Sequence, residues 1–300
     1  MDSSSYTDAV AGPDQIDLSW SLSSATTPDA VSYYTIYDSL NGGSYSKYAT
    51  NVSGTSATSY AITGLPAGSY TFELTAKDTY GQVSALSAAS GPVAQQQVAT
   101  HVQEVGADSI GSDGTLTIPV TSATKAGDTV LVAVGTWNSA TTSVKDSAGN
   151  TYSLVSSGSG GAYLYGSKTT SSIPAGGTIT VTVSGTQFGA SAVAQEWSNL
   201  TLTVDPTGSQ SGYEKTPGVS GSYPDAGTGE EFFLVAGGGT SNSGNTISPS
   251  YMSLDQATGG VSTVVGYGAL MPGASSVNYS FSWAPTYEER SWLVVALQAG

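Results

Sequence analysis

The chain has 300 residues, a net charge of −15 and no cysteine, and only 10% of its residues are charged. The length is typical of about two domains, and the absence of cysteine excludes disulfides and thiolate metal sites. The seven cations are scattered, which excludes an electrostatic surface for nucleic acid and attraction to an anionic membrane. No run of about 18 apolar residues is present, so no membrane insertion is expected.

The first part of the chain, residues 1–93, has the pattern of a small β-sandwich. Ile16, Leu18 and Trp20 alternate with polar residues, which predicts a strand with one buried face. Tyr70, Phe72, Leu74 and Ala76 alternate in the same way, and we assign them to the core. A last strand is predicted around 83–87. A linker is predicted at 94–99, where a short polar run follows Gly91-Pro92.

Several of these residues fall in a known order. Trp20 ends an early strand, Thr63-x-Leu65 precedes a turn, and the run from Gly68 to Ser84 contains Tyr70-x-Phe72-x-Leu74-x-Ala76. This pattern resembles the fibronectin type III family, in which a tyrosine at the position of Tyr70 forms a tyrosine corner. The resemblance implies an Ig-like sandwich that serves as a spacer or docking module. The adhesive Arg-Gly-Asp loop of the family is missing, so integrin binding is not implied.

Residues 100–300 also read as β-structure throughout. The apolar run 129–134 predicts a strand that is covered on both faces. The segment 144–155 has turn residues at its centre and predicts a hairpin. The segments 127–133 and 229–236 look alike, which is explained either by duplication or by the general similarity of core strands. Two Gly-rich stretches, 203–229 and 237–256, are predicted to be long loops.

A second resemblance covers nearly all of residues 100–299. It depends on Gly127-Asp128-x-x-Leu131-Val132, on Asp146-Ser147-Ala148-Gly149-Asn150-Thr151-Tyr152, and on Glu196-Trp197-Ser198-Asn199-Leu200. These segments resemble a module of phage tail-associated or virion proteins and of secreted bacterial surface proteins. The resemblance implies a larger jelly-roll-like, two-sheet β-sandwich, and it implies no established chemistry.

Candidate catalytic groups are few. His101 is the only histidine, and no Gly-x-Ser-x-Gly motif accompanies it, so a triad is not expected. Glycosidases use two carboxylates, and Glu196 beside Trp197 is the best single candidate because such a residue could line a groove. The tandem pairs Glu230-Glu231 and Glu288-Glu289 point to opposite faces of a strand. We therefore expect no catalytic residues, no enzyme activity and no cofactor, with a glycoside hydrolase as the remotest alternative.

Metal binding is also not expected. The chain lacks the His and Cys sets that zinc requires. Calcium would need oxygen ligands such as Asp108, Asp113, Asp146 and Asn150, but EF-hand spacing is absent. The turn chemistry of 146–150 already explains the last two residues.

Aromatic residues in or near predicted loops are the candidate binding residues, because such rings fill partner pockets or stack on sugars. They are Trp137, Tyr163, Tyr165, Tyr213, Tyr223, Tyr251 and Tyr287. The polar start Met1-Asp2-Ser3-Ser4-Ser5 lacks a signal-peptide pattern, so either a leader was removed or the protein reaches the outside without secretion. Phage virion proteins do the latter by cell lysis, which favours a phage protein. The sequence thus predicts a non-enzymatic structural and interaction protein, located at a virion surface or extracellularly. Its expected partners are other virion or surface proteins, copies of itself and host-surface glycans; a secreted bacterial glycan-binding or adhesion module is the alternative.

Overall fold

The computed structural model contains strands and no helix in the part of the chain that it describes. It describes residues 6–12, 15–22, 30–53, 58–95, 98–111, 114–136, 141–185, 189–214, 218–224, 230–239, 246–248, 253–257, 262–269, 276–282 and 290–300. Within these ranges no helix has the length and apolarity that a bilayer crossing requires. The predicted all-β class is confirmed. The chain divides into two compact units, Met1–Gln97 and Val98–Gly300.

Seven strands lie in the described residues of the first unit. They are β1 (Tyr6–Gly12), β2 (Gln15–Trp20), β3 (Val31–Leu40), β4 (Ser46–Ser53), β5 (Ser59–Thr63), β6 (Gly68–Asp78) and β7 (Val93–Gln95). They form one sheet in the order β1-β2-β5 and a second in the order β4-β3-β6-β7. All pairings are antiparallel. The first unit therefore has the two-sheet sandwich that the fibronectin type III resemblance implies.

The core of this sandwich contains the residues that the alternation predicts. Trp20 is 3% exposed and Phe72 is fully buried. The Tyr70 hydroxyl donates a hydrogen bond to the Pro66 carbonyl at 3.0 Å, which is the predicted tyrosine corner. Both the core face of β6 and the corner are therefore confirmed.

The end of the first unit differs from the prediction. Residues 84–92 form no regular strand, and Val83 makes only an isolated bridge to Lys77. The strand that closes the sheet is β7, which begins ten residues after Val83 and extends into the predicted linker. Serine side chains replace part of the β-ladder in between, which alternation of apolar residues cannot reveal.

The strands described in the second unit form two repeats of eight. The first repeat has β8 (Thr100–Ile110), β9 (Gly114–Pro119), β10 (Thr129–Thr136), β11 (Thr141–Asp146), β12 (Ser153–Ser157), β13 (Ala162–Lys168), β14 (Thr178–Ser184) and β15 (Ala190–Ser198). The second has β16 (Leu200–Glu214), β17 (Gly218–Pro224), β18 (Glu230–Gly239), β19 (Thr246–Ser248), β20 (Ser253–Ala257), β21 (Ser262–Ala269), β22 (Ser276–Ser282) and β23 (Arg290–Ala299).

The two repeats have the same topology. The first repeat has a five-stranded sheet, β12-β13-β10-β15-β8, and a three-stranded sheet, β11-β14-β9. Adding eight to every strand number gives the two sheets of the second repeat, β20-β21-β18-β23-β16 and β19-β22-β17. Of the two explanations for the similar segments 127–133 and 229–236, this identity favours duplication. The unit therefore contains four sheets, whereas the jelly-roll resemblance implied two.

The five-stranded sheets of the two repeats pack against each other. Strand β10 lies against β18, while β15 lies against β21 and β13 against β23. The edge strands follow the same rule, with β8 against β20 and β12 against β16. Such reciprocal contacts are those of a two-fold, isologous interface. The shared apolar layer includes Leu131, Leu164, Val193 and Trp197 from the first repeat and Leu293, Val295 and Leu297 from the second.

This packing explains the apolar runs in the sequence. Every residue of β10 is buried, because one face of the strand contacts the other repeat and the opposite face contacts its own three-stranded sheet. The prediction of a strand covered on both faces is confirmed. The connection between the repeats is a single residue, Asn199, with a φ of 53°.

Two other predictions are corrected. The segment 144–155 closes with a single antiparallel bridge, Lys145 to Thr151, but its two strands do not pair as a hairpin, because β11 pairs with β14 in the three-stranded sheet while β12 pairs with β13 in the five-stranded sheet. The turn residues carry the chain from one sheet to the other. The predicted loop 203–229 contains most of β16 and all of β17, edge strands that are rich in Ser, Thr and Gly and lack an apolar period.

The substitution Phe72→Ala tests the core of the first unit. Because this ring is fully buried, its truncation is expected to cost about 3–5 kcal/mol of unfolding free energy. Scanning calorimetry of the full chain measures the effect, and the transition of the second unit serves as the internal control. A first-unit transition at the wild-type temperature would contradict the assigned core.

Candidate functional site

The predicted turn Asp146–Asn150 is a closed hydrogen-bond network. The Asp146 carboxylate accepts bonds from the backbone N–H groups of Ala148 and Asn150, at 2.9 and 3.1 Å. Its second oxygen accepts from the Asn150 side chain at 2.9 Å and from the Tyr152 hydroxyl at 3.2 Å. Burial first, and the nearby Asp146 charge second, raise the pKa of Tyr152, so this hydroxyl stays protonated and remains a donor.

Asn150 links this turn to the connection between β13 and β14. Its side-chain oxygen accepts from the backbone N–H groups of Thr170 and Ser171 at 2.9 and 3.0 Å. Its side-chain nitrogen also donates to the Ser171 carbonyl at 2.9 Å. The side chain is 6% exposed. Asp146 and Asn150 thus hold two segments of the fold together, and their oxygens are already engaged by protein donors rather than open to a cation.

The other proposed calcium ligands do not join this network. Asp108 accepts from the backbone N–H groups of Ser109 and Thr117 at 2.8 and 2.7 Å, and Asp113 lies outside the described residues. In the ranges that the structure describes, no three His, Cys, Asp or Glu side chains come together as a metal-binding group.

Glu196 lies in a second polar network and not in a groove. It is 1% exposed. One carboxylate oxygen accepts from the Gln103 side chain, and the other accepts from the backbone N–H of Lys125, each at 2.6 Å. The carboxyl of Asp128, which is 7% exposed, lies near Glu196 and interacts with its charge. This network fixes the connection between β9 and β10 onto the five-stranded sheet.

The pairing of the two carboxyls is unsuited to glycoside hydrolysis. Burial, and then repulsion by Glu196, raise the pKa of Asp128, while the charges of Lys125 and Lys168 offset part of this effect. Both carboxyls are buried, with Glu196 1% and Asp128 7% exposed, so a sugar chain cannot reach the pair as a glycosidase requires.

In the described residues, the second repeat lacks the glutamate on which this network depends. Thr129 lies opposite Trp197, and the equivalent Glu231 lies opposite Leu297. The position equivalent to Glu196 is therefore Ala296. Glu230 and Glu231 begin β18, and Glu288 and Glu289 lie outside the described residues. His101 lies opposite Trp197 on β8, and the centroids of their rings are 5.1 Å apart.

The aromatic candidates are not brought together into one site. Trp137, Tyr251 and Tyr287 lie outside the described residues. Tyr163 is half-buried and packs against the core of the first repeat. Two more candidates are core residues, which corrects their assignment to exposed loops. Tyr165 is 8% exposed and donates to the Thr142 carbonyl at 2.9 Å, while Tyr223 is 1% exposed and donates to the Gly208 carbonyl.

Tyr213 remains as an accessible candidate. It lies at the end of β16 and is 38% exposed. Its ring lies against Gly160 in the turn between β12 and β13, where a Cβ atom would come within 2.7 Å of the ring. Tyr213 is therefore part of the seam between the repeats.

The substitution Asn150→Ala tests the turn network. Loss of this side chain removes its bonds to the backbone of Thr170 and Ser171 and one of the bonds to Asp146, which together are expected to cost about 3 kcal/mol. The control is Asn278→Ala, an exposed amide on β22, for which a change within about 0.5 kcal/mol is expected. Denaturant unfolding of both variants measures the difference, and equal stabilities would contradict the network.

The substitution Asp128→Asn tests the carboxyl pair. The pKa of Asp128 is higher in the folded state than in the unfolded state. Protonated Asp128 therefore stabilises the fold at acid pH, and this stabilisation is lost as the pH rises through the folded pKa. Asparagine keeps a donor towards Glu196 at all pH values. We expect the variant to match the wild type in acid and to exceed it at neutral pH in melting temperature. The exposed Glu104→Gln on β8 is the control, and a difference independent of pH would contradict the pair.

Comparison with known proteins gives likenesses to fibronectin type III structures. No protein-family model matches the chain, and no curated protein matches its sequence. A Fn3-like protein from Clostridium thermocellum is 23% identical, with 31% of this chain and 90% of that chain covered and a TM-score of 0.24. Titin module A71 from human cardiac muscle is 20% identical, covering 31% and 90%, with a TM-score of 0.26. The FN1–FN3 domains of chicken CNTN1 are 12% identical, covering 99% and 92%, with a TM-score of 0.29.

Similarities at these identities and TM-scores do not indicate a function for this chain. The strand order of the first unit and its tyrosine corner are independent of them. On these features of its own, the first unit has a fibronectin type III fold.

Proposed function

We propose that the chain is a non-enzymatic structural and interaction protein exposed on a phage virion, as a decoration, tail-accessory or fibre-type component. It acts in several copies, with other virion proteins and copies of itself as partners. Attachment to host-surface glycans is an additional role in this setting.

The observation that carries the proposal is the use of the buried polar groups. The Asp146–Asn150 network and the Glu196–Asp128 pair, which are the strongest chemical candidates in the described residues, both hold loops onto sheets. Neither presents a free base, nucleophile or metal ligand to a cleft. Because these polar side chains are used to hold the fold together, they indicate a protein that binds other molecules rather than one that catalyses a reaction.

The outer faces of the second unit support the same conclusion. The three-stranded sheet of the second repeat contains no charged residue. Its exposed positions include Ser220, Ser222, Ser276, Asn278, Ser280 and Ser282. The first repeat exposes Thr115, Thr117, Ser143 and Thr182, with Lys145 among them. Hydroxyl faces of this kind suit a protein that is crowded at high local concentration, because Ser and Thr hydrogen-bond locally or to neighbours.

The phage setting is supported by the resemblance of residues 100–299 to a module of tail-associated proteins. The test is immunogold electron microscopy of phage particles from the source culture, with antibodies against the purified chain. We expect labelling at regular positions and several copies per particle by quantitative mass spectrometry. A free monomer in the culture medium, attached to no particle or filament, would contradict the proposal.

A secreted glycan-binding or adhesion module is the second candidate, and Tyr213 is the observation that favours it. A half-exposed tyrosine with one side on a glycine can stack on a sugar ring. A glycan array with the wild type, Tyr213→Ala and Tyr45→Ala tests this role, because Tyr45 is equally exposed, at 37% against 38%. Binding that is lost only in Tyr213→Ala supports the role, and binding that is absent or unaffected opposes it.

A further inference from the structure

The outer face of the four-stranded sheet in the first unit carries two tyrosines of β3. Successive side chains of a strand point to opposite faces of its sheet. Tyr34 and Ile36 belong to the buried core of this unit, so Tyr33, Thr35 and Tyr37 point away from it. Tyr33 and Tyr37 are half-buried, which leaves part of each side chain accessible.

The register of the sheet places charged residues directly beside these two tyrosines. Tyr37 lies opposite Lys47 on β4 and opposite Glu73 on β6. Tyr33 lies opposite Lys77 on β6, and the Lys77 ammonium lies over the Tyr33 ring, 5.5 Å from its centroid. Residues that are directly opposite in an antiparallel pair share one face of the sheet. The five side chains therefore lie on the same outer face, and we call them the tyrosine face.

Both cations of the first unit belong to the tyrosine face. Lys47 and Lys77 are the only basic residues in the sequence from 1 to 97. The tyrosine face is therefore the place where this unit combines aromatic rings with ammonium donors.

The tyrosine face is supported by the residues between its two tyrosines. Thr35 and Thr75 lie opposite each other there, and each is only 7% exposed although it points outward. The longer side chains before and after them on β3 and β6 therefore lean over the threonines along the sheet. Side chains that already rest on a sheet lose little conformational entropy when a ligand binds.

The groups around Tyr37 match the hydrogen-bonding needs of a sugar. When a pyranose stacks on an aromatic ring, its C–H groups contact the ring and its hydroxyls project from its perimeter. The Lys47 ammonium on one side of Tyr37 can only donate hydrogen bonds, and the Glu73 carboxylate on the other side can only accept them. A hydroxyl does both, so a sugar stacked on Tyr37 finds a partner on each side.

Charge and composition favour a neutral sugar chain over an acidic polymer or a protein. The whole chain has a net charge of −15, so it repels a polyanion, and Glu73 would lie beside the acidic groups of such a ligand. Protein interfaces are depleted of lysine and glutamate, whereas these two residue types supply three of the five side chains of the tyrosine face.

We propose that the tyrosine face binds a neutral oligosaccharide, with one sugar stacked on Tyr37 between Lys47 and Glu73 and a further contact at Tyr33 and Lys77. The two tyrosines are four residues apart on β3, about 13 Å, so a single sugar ring cannot reach both and the ligand is a chain of several units. The inference rests on the glycan attachment included in the proposed function, to which it adds a site and a ligand class. It does not involve Tyr213.

The first test is binding of the full chain to an array of hexasaccharides of glucose, N-acetylglucosamine, mannose and galactose, with hexagalacturonate as the acidic probe. We expect binding to at least one neutral hexasaccharide, and binding of the corresponding monosaccharide that is at least tenfold weaker. Binding to none of the neutral hexasaccharides, or equal or tighter binding of hexagalacturonate, would overturn the proposal.

The second test uses substitutions in the tyrosine face, with titration calorimetry against the neutral hexasaccharide that binds best. Tyr37→Leu keeps an apolar side chain on the sheet but removes the ring, and it is expected to weaken binding at least tenfold. Tyr60→Leu is the matched control, because Tyr60 is also half-buried and lies on β5 in the opposite sheet. Equal affinities of the two variants would contradict the site.

The lysine is tested in the same way. Lys47→Ala is expected to weaken binding at least tenfold, whereas Lys145→Ala, which removes the same charge from an exposed position on β11, is expected to leave it unchanged. Equal effects would show that only the net charge matters and would overturn the proposal. Scanning calorimetry confirms that each variant is folded. Failure of all these tests leaves the particle labelling of the proposed function unaffected, so the two proposals fail separately.

Discussion

The apolar layer between the two five-stranded sheets is the contact on which the second unit depends. Leu131, Leu164 and Trp197 meet Leu293 and Val295 there. Neither sheet could leave this face in water, because strands that are apolar on both faces need two covering layers. The repeats are joined through Asn199 alone, and the Gly300 N–H donates to the Asn199 carbonyl at 3.0 Å. The end of the second repeat is therefore fixed at the end of the first, which is the closure expected of a fused two-fold pair.

The difference between the repeats shows what the buried carboxyls do. Where the first repeat has Glu196, the second has Ala296 in the same place on the central part of its sheet. Both sheets have the same strand order, so the acid is not required by the architecture. Its partners are Gln103 and the Lys125 backbone, which indicates that it fixes one particular connection. Burial of Glu196 is tolerated because each of its carboxylate oxygens accepts a hydrogen bond.

The sequence predicts the parts of this fold that are specified by a local pattern of residues. The period of Ile16, Leu18 and Trp20, the tyrosine corner at Tyr70 and the apolar run of β10 all carry local signals, and all are found. The hairpin at 144–155 was wrong because the turn residues specify a turn but not the sheets to which its two strands belong. Four sheets were not foreseen, since the pairing of distant strands leaves little trace in one sequence. The edge strands β16 and β17 were read as loops because Ser, Thr and Gly give them no apolar period.

The candidate site was predictable only in part, for a related reason. An aromatic residue near a loop has the same local sequence whether its ring faces water, as Tyr213 does in part, or fills the core, as Tyr223 does. Ser84, Ser87 and Ser90 recur at every third residue of the sequence, but their meaning depends on β6 lying beside them.

Symmetry sets what a contact between two copies of the chain can build. A two-fold contact is closed, so it joins copies in pairs and cannot by itself extend an assembly. The two-fold contact inside the second unit joins the two repeats of one chain, so it cannot join one chain to another. Growth beyond a pair therefore requires a contact of another kind. The three-stranded sheet of the second repeat has an uncharged hydroxyl face, on which an acidic chain can approach a neighbour without repulsion. Duplication places an equivalent sheet in the first repeat, but Lys145 is exposed there, so each chain offers the uncharged surface once.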